Sequence, residues 1–186
     1  MTGRKRNAIV GLLFTLGIVA FASSGAWRTF SSSSHFSVAY PETWFRIGIS
    51  ADRLEILSSK GGAEGFVIKR GQAEIAAMEA PGSPTKSLAQ VIDYYVQGSS
   101  VLSQRNILDG VAKQGCSALT EVTSREAAVP IEDSPIKVPY IINTGFFCEV
   151  GGRKIVILVR NFEDDKRQQE YQQVASQMAR SIRLTK

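Results

Sequence analysis

The sequence predicts a single α+β domain in which a mostly antiparallel central sheet is flanked by helices. Three patterns indicate this class: short runs of alternating apolar and polar residues, glycine-containing turns between such runs, and two segments with apolar residues at helical spacing. A chain of 186 residues is long enough for one domain with its own core. Its 44% hydrophobic and 21% charged residues are typical of a globular protein. A second domain is not expected.

The chain begins with the pattern of an export signal. Arg4, Lys5 and Arg6 precede an apolar run over residues 8–22, and small residues follow it. Ala22 and Ala26 each end a pair of small residues spaced as in a signal cleavage site. Residues 1–26 are therefore expected to be a signal peptide that is cleaved after one of these alanines.

The alternative is an uncleaved membrane anchor. Residues 8–27 number about twenty, close to the length of a membrane-spanning helix. Under either interpretation the basic residues stay on the cytoplasmic side and the domain is exported. The expected location is thus extracytoplasmic, either periplasmic or secreted, or else tethered to the membrane by this helix.

The first half of the mature chain is predicted to consist of short strands. Residues 27–35 contain a tract of four serines and are predicted to be a flexible linker, so that the domain spans residues 36–186. Alternation from Phe36 predicts a strand that Pro41 ends, because proline cannot donate a ladder hydrogen bond. Further extended segments are predicted at the following positions: 44–49, 53–57 and, beyond a glycine loop at 61–65, 66–80.

Two helices are predicted from apolar stripes. Apolar residues at helical spacing across positions 88–96 predict the first helix, with Ser87 and Gln90 at capping-box spacing. The second is predicted over 164–184, which is amphipathic. Three acids at positions 163–165 are interpreted as caps of that helix and not as calcium ligands, because they lack the donor spacing of a calcium loop.

Two hairpins are predicted in the second half of the domain. Asp109 and Gly110 form a two-residue turn signal between extended segments at 101–108 and 111–126. Gly151 and Gly152 separate two more, at 140–150 and 153–162. The strand 153–162 is apolar on both faces, which predicts a central strand covered on both sides.

The two cysteines are predicted to form a disulfide. Cys116 and Cys148 lie in segments that pair around a proline-rich loop centred near Glu132, so the simplest register places them opposite one another. An oxidising compartment would favour the bond. Two buried thiols are the alternative. A redox-active pair is not indicated, since the spacing is not C-x-x-C.

Composition and motifs argue against several function classes. The net charge of +5 falls to +2 without the three basic leader residues, which leaves 19 basic against 17 acidic side chains and no basic stripe. Nucleic-acid binding is therefore not expected. The one histidine, His35, stands at the domain edge, and no hydrolase, zinc-protease or phosphate-loop motif is present. No catalytic residue, cofactor or metal site is predicted.

The order of elements resembles a known superfamily. Residues 36–44 read Phe-Ser-Val-Ala-Tyr-Pro-Glu-Thr-Trp, similar to the F-x-V-x-Y-P-x-x-W start of PsbP-like and Mog-like proteins. An apolar hairpin over 145–162 and an amphipathic helix ending at 180–184 match the end of such domains. The resemblance covers residues 36–184. It implies an α/β/α sandwich that acts by binding partners.

Members of that superfamily differ in their partners. Photosynthetic members stabilise the oxygen-evolving side of photosystem II, cytosolic Mog-like members bind a small GTPase, and many exported bacterial members have no assigned role. Export of this chain argues against the GTPase. Histidines and acids linked to metal in the photosynthetic members have no matching positions here, so that role is not carried over.

The leading hypothesis is an exported, non-catalytic accessory module that binds a protein partner or an envelope or membrane complex. Trp44 and Phe45 are expected to be core residues and not contact residues. The alternatives are an exported hydrolase that uses carboxylates alone and a small-ligand carrier. The hydrolase would bring acids together in a pocket with a raised pKa, from candidates such as Glu42, Asp52 and Glu55. The carrier would need a large apolar pocket between sheet and helix.

Overall fold

A computed structural model describes residues 25–48, 50–60, 71–109, 115–126 and 140–185. These ranges contain two helices and ten strands. The helices are α1 (Leu88–Val96) and α2 (Gln168–Ser181). In chain order the strands are β1 (Trp27–Ser31), β2 (Phe36–Pro41), β3 (Phe45–Arg46), β4 (Arg53–Leu57), β5 (Glu74–Glu79), β6 (Ser100–Asp109), β7 (Ala118–Glu126), β8 (Ile141–Val150), β9 (Arg153–Phe162) and β10 (Arg183–Leu184).

Two antiparallel sheets organise the fold. The large sheet has seven strands in the order β3-β4-β5-β9-β8-β7-β6, and the small sheet has three in the order β1-β2-β10. Helix α2 packs on one face of the large sheet and also contacts β2, while α1 packs on the opposite face. The predicted α+β class, with a mostly antiparallel sheet flanked by helices, is confirmed. So is the central position of β9, which is fourth of seven.

The main core lies between the large sheet and α2. It is formed by the inward residues of β4, β5, β8 and β9, by the apolar face of α2 and by Phe30, Phe36 and Val38 of the small sheet. Trp44 belongs to this core, as predicted, and packs edge-on against Tyr171 with ring centroids 6.0 Å apart. The two sheets therefore share one apolar interior.

A smaller core lies under α1. Val91 and Ile92 of the helix pack with Val122, Phe147 and Val156 on the sheet. The capping box predicted for this helix is present, since Gln90 N donates to Ser87 Oγ and Ser87 N donates to the Gln90 side chain. With nine residues the helix is about 13 Å long, so it covers only part of a seven-stranded face.

The linker prediction for residues 27–35 is wrong at its start. Residues 27–31 form β1, which pairs with β2 along its whole length from Trp27 opposite Pro41 to Ser31 opposite Ser37. The serine tract is the hairpin turn, where Ser32 N donates to Phe36 O at 2.8 Å. Phe30 is buried in the main core, and this burial gives the segment the apolar anchor that a flexible linker lacks.

The helix predicted over 164–184 is shorter than expected. It ends at Ser181, whose hydroxyl donates to Met178 O and accepts from Ala39 N, and the chain then enters β10 beside β2. The three acids do not cap it, because its N-cap residue is Arg167, which makes no side-chain cap bond. Asp165 instead accepts a hydrogen bond from the Arg167 backbone within the preceding turn.

One predicted hairpin is confirmed and the other is corrected. Val150 pairs with Arg153 across Gly151 and Gly152, which have φ values of +53° and +78°. Strands β6 and β7 do pair, but Asp109 pairs with Ala118, so a two-residue turn does not join them. Residues 110–114 lie outside the described ranges.

The extended prediction over 66–80 is confirmed for β5, despite its helix-favouring residues, because Ile75, Ala76 and Ala77 are buried between β4 and β9. Residues 66–70 lie outside the described ranges.

Several predictions concern residues outside the described ranges. These are the leader with Ala22, the glycine loop at 61–65, and the centre of the proline-rich loop between β7 and β8. No helix in the described part of the chain is long and apolar enough to cross a membrane. Ala26 is described, and its carbonyl oxygen accepts a hydrogen bond from Glu42 N at 2.8 Å next to the start of β1.

Candidate functional site

A groove of about 290 Å³ lies on the α1 side of the large sheet. It lies on the area that the short helix leaves uncovered and is bordered by the end of α1, where Tyr95, Val96 and Gln97 line it. Strands β4, β5, β9, β8 and β7 all contribute to it. The groove therefore crosses the strands and does not follow a single one.

Small side chains give the groove its depth. In the sheet register Ala76 faces Leu158, Leu158 faces Gly145, and Gly145 faces Val122, so these four residues form one row across four strands. All four line the groove. Alanine at position 76 keeps the floor low on the β5 side, and glycine at position 145 leaves room for a neighbouring aromatic ring.

The floor depends on glycine at position 145. A Cβ atom built there would lie 2.5 Å from Cε2 of Phe147, closer than real carbon contacts allow. The Phe147 ring thus uses the space above Gly145, and it packs edge-on against Tyr95 with centroids 5.7 Å apart. Together Phe147 and Tyr95 form an aromatic wall on the α1 side of the groove.

A polar row forms the opposite wall. Glu74, Arg160, Asn143 and Ser124 are successive cross-strand partners on β5, β9, β8 and β7, and all line the groove. Asn143 donates a hydrogen bond to Glu126 Oε2 at 3.1 Å, and an Arg160 nitrogen lies 4.0 Å from the same oxygen. The groove is therefore amphipathic across its width.

Glu74 has the most unusual electrostatic environment of the groove acids. Burial raises the pKa of its carboxyl above the ordinary value; the positive charge of Arg160 opposes this rise and the negative charge of Glu55 adds to it. Glu74 makes no ion pair with another described residue, whereas Arg53 Nε lies 2.8 Å from Glu55 Oε1. Burial likewise raises the pKa of the Tyr95 hydroxyl.

The three acids proposed for a carboxylate hydrolase do not meet in this groove. Glu42 accepts from Arg28 Nε at 2.9 Å beside the small sheet, and Asp52 accepts from the Ser33 and Ser34 hydroxyls at the β1–β2 turn. Glu55 is close enough to affect Glu74 but is paired with Arg53. The structure therefore separates two of the candidates from the site.

Other predicted residues have structural positions. His35 is exposed in the β1–β2 turn with φ of +63°, and Phe45 is half-buried, with Lys60 Nζ 5.4 Å from its ring centroid. Within the described ranges no group of three or more histidine, cysteine or acidic side chains could hold a metal ion.

Cys116 and Cys148 form the predicted disulfide, with Cα atoms 5.3 Å apart. The predicted register is wrong, however, because Cys148 pairs with Leu119 in the β7–β8 ladder. Cys116 precedes β7 and packs inward, where its Sγ lies 3.5 Å from Ala179 O of α2. The bond thus joins β8 to the segment that enters β7, on the face opposite the groove.

Sequence reasoning missed Glu74, Arg160 and Asn143. Their signal is a charged or amide residue at a position that the strand period assigns to the same sheet face as buried apolar residues, such as Arg160 two residues after Leu158. In a single strand, this pattern indicates only the end of the strand. It becomes a site signal when the register aligns several such positions in a row.

Comparison with known proteins identifies the fold. No protein-family model matches the sequence, and no curated protein shows significant sequence similarity to it. The Ran-binding protein Mog1p of Saccharomyces cerevisiae matches in structure with a TM-score of 0.52 and 10% identity, over 86% of this chain and 96% of that one. The cyanobacterial PsbP of Synechocystis sp. PCC 6803 has a TM-score of 0.46 and 12% identity over 91% and 98%. The chain therefore has a fold similar to that of Mog1p.

Proposed function

We propose that the protein is an exported, non-catalytic binding module that engages a protein partner through the groove on the α1 side. The observation that carries this proposal is the incomplete cover of the sheet. A nine-residue helix lies on a seven-stranded face, and the uncovered area is a groove with an aromatic wall and a polar wall. Amphipathic surfaces of this kind suit protein contacts, in which aromatic residues and arginine contribute most.

Three features support export. The leader has the order of a signal peptide. The disulfide between Cys116 and Cys148 would form and persist in an oxidising compartment outside the cytoplasm. Cleavage after Ala22 or Ala26 would leave β1 intact, since the strand begins at Trp27. We propose residues 1–26 as the signal or anchor and residues 27–186 as the exported unit.

A carboxylate-dependent hydrolase is the second candidate. It is favoured by one observation, the raised pKa of Glu74 with Glu55 nearby, because a general acid needs a carboxyl that stays protonated. Against it, Arg53 is paired with Glu55, so Glu55 is not a free second carboxylate beside Glu74. A binding role is compatible with the Arg53–Glu55 ion pair and with the position of Arg160 opposite Glu74.

The proposal is tested by charge reversal in the groove. Tagged full chain, produced with its own leader, is isolated from the cell envelope as the wild type and as the Glu74→Lys and Asp93→Lys variants. Asp93 is exposed on α1 and does not line the groove, so it provides a control with the same change of charge.

We expect the same partner to be recovered with the wild type and with Asp93→Lys and to be lost with Glu74→Lys. Recovery of that partner with the groove variant, or recovery of nothing above a mock sample from any of the three, contradicts the proposal.

A further inference from the structure

We infer that the occupant of the groove is an extended peptide segment of the partner that carries one surplus basic side chain, placed beside Glu74. This inference rests on the proposed function and adds the chemistry of the partner to it. Its support comes from the length of the groove, from its two unlike walls, from its charge and from an exposed apolar side chain at one end.

The length and width of the groove fit an extended chain. It spans five adjacent strands from β4 to β7, and neighbouring strands lie about 4.8 Å apart, so the groove is about 19 Å long. An extended peptide rises about 3.3 Å per residue, so that about six residues cover this distance. A groove with a volume of about 290 Å³ over such a length is narrow. This shape favours a single extended segment over a compact ligand.

The two walls match the side-chain period of an extended peptide. Successive side chains of such a peptide point to opposite sides. Along the groove, one set would face Tyr95 and Val96, with the buried Phe147 ring packed behind Tyr95, and the other would face Glu74, Arg160 and Asn143. A segment with alternating apolar and polar residues therefore satisfies both walls.

The charge of the groove selects a basic residue. Arg53 is paired with Glu55, and Arg160 stands between Glu74 and Glu126. Glu55 does not line the groove, and because it pairs with Arg53, the lining is left with one free positive group, Arg160, against two negative ones, Glu74 and Glu126. Of the acids just named, Glu74 is the one that forms no ion pair with another described residue. A lysine or arginine of the partner would supply the missing charge.

Beyond Ser124, the last residue of the polar row, the sheet presents an exposed apolar residue. Ser124 faces Val101 in the register, and Val101 lies on the edge strand β6 with 49% of its surface accessible. An apolar residue of the segment would cover Val101 about 19 Å from Glu74, because β5 and β6 are four strand spacings apart. The inferred segment is therefore basic toward β5 and apolar toward β6.

A displayed library of random hexapeptides tests this inference without knowledge of the partner. The library is selected on the disulfide-bonded full chain, and selected sequences are made as synthetic peptides for fluorescence polarisation. We expect enrichment of sequences with a surplus lysine or arginine and alternating apolar residues. No enriched binders, or binders with no preference for a basic residue, would overturn the inference.

Three variants locate the binding. Glu74→Gln keeps the size of the side chain and is expected to weaken a selected peptide at least about tenfold, as removal of a charged hydrogen-bond partner does. Asp93→Asn should leave the affinity unchanged. A peptide whose basic residue is replaced by glutamate should bind Glu74→Lys better than it binds the wild type.

Equal affinity for wild type and Glu74→Gln would overturn the inference. If the envelope partner still depends on Glu74 while peptides fail, the proposed function stands and the peptide inference alone is wrong.

Discussion

The disulfide between Cys116 and Cys148 is expected to supply a large part of the stability of the domain. Replacing both cysteines by alanine removes the bond without leaving an unpaired thiol. The two residues are 32 positions apart in the chain, and closing a loop of this length lowers the entropy of the unfolded state by an amount equivalent to about 4 kcal/mol.

Loss of two buried sulfur atoms adds a smaller contribution. Cys148 is inaccessible and Cys116 nearly so, and removal of each sulfur takes apolar volume from the core beside Ala179. This contribution is on the order of 1 kcal/mol for each side chain. Because domains of this size are stable by roughly 5 to 15 kcal/mol, the double variant should be marginally folded.

Guanidinium unfolding followed by circular dichroism measures the difference. Three samples are compared: the oxidised wild type, the reduced wild type and the double alanine variant. The reduced wild type keeps both sulfur atoms, so it isolates the effect of the bond. We expect it to lose about 4 kcal/mol of unfolding free energy and to show a steeper denaturant dependence, because a chain without the bond exposes more surface.

The reasoning is refuted if the oxidised and reduced proteins differ by less than about 1 kcal/mol. The same conclusion follows if the protein, produced with its own leader, has the mass of a chain with two thiols.

Three further predictions concern the groove and the small sheet. Phe30→Ala should cost about 3 to 5 kcal/mol because Phe30 is buried in the main core, whereas Thr29→Ala on the exposed side of β1 should have little effect. Glu74→Gln should flatten the pH dependence of stability, measured by thermal unfolding: the raised pKa of Glu74 makes wild-type stability fall as the pH rises from about 4.5 through the folded-state pKa. Gly145→Ala should displace the Phe147 ring and shift the Tyr95 ring resonances in NMR spectra.

Each of these predictions has a result that would contradict it. Equal stability of Phe30→Ala and Thr29→Ala would mean that β1 does not belong to the core. Parallel stability profiles of wild type and Glu74→Gln across the acid range would mean that burial does not raise the pKa of Glu74. Unchanged ring resonances in Gly145→Ala would show that Phe147 does not occupy the space above position 145.

The sequence predicts elements well where local chemistry and burial agree. Strand β9 is apolar on both faces, and it is central. Ser87 and Gln90 satisfy the first turn of α1 by themselves, so its start can be read from the residues. Strand β5 could also be predicted. Turn residues on both sides of the run favoured a strand, although its alanines favour a helix.

Tertiary contacts decide the features that the sequence did not predict. Cys116 lies before β7 and turns inward toward α2, so the disulfide does not join directly opposed residues of the β7–β8 ladder. Phe30 anchors β1, although the serines that follow it resemble a linker. The polar wall of the groove exists only after β5, β9, β8 and β7 are placed side by side in register, and no single strand contains that information.

Site-specific photocross-linking tests most directly whether the groove is the binding surface. A photoreactive residue is placed in the full chain at Gln97, which is exposed and lines the groove, or at Asp93, which is exposed on the same helix outside the groove. Cells are irradiated and the adducts are identified by mass spectrometry. Binding through the groove predicts one defined protein adduct from position 97 and its absence from position 93. The same adduct in equal yield from both positions, or an adduct from position 93 alone, would contradict it.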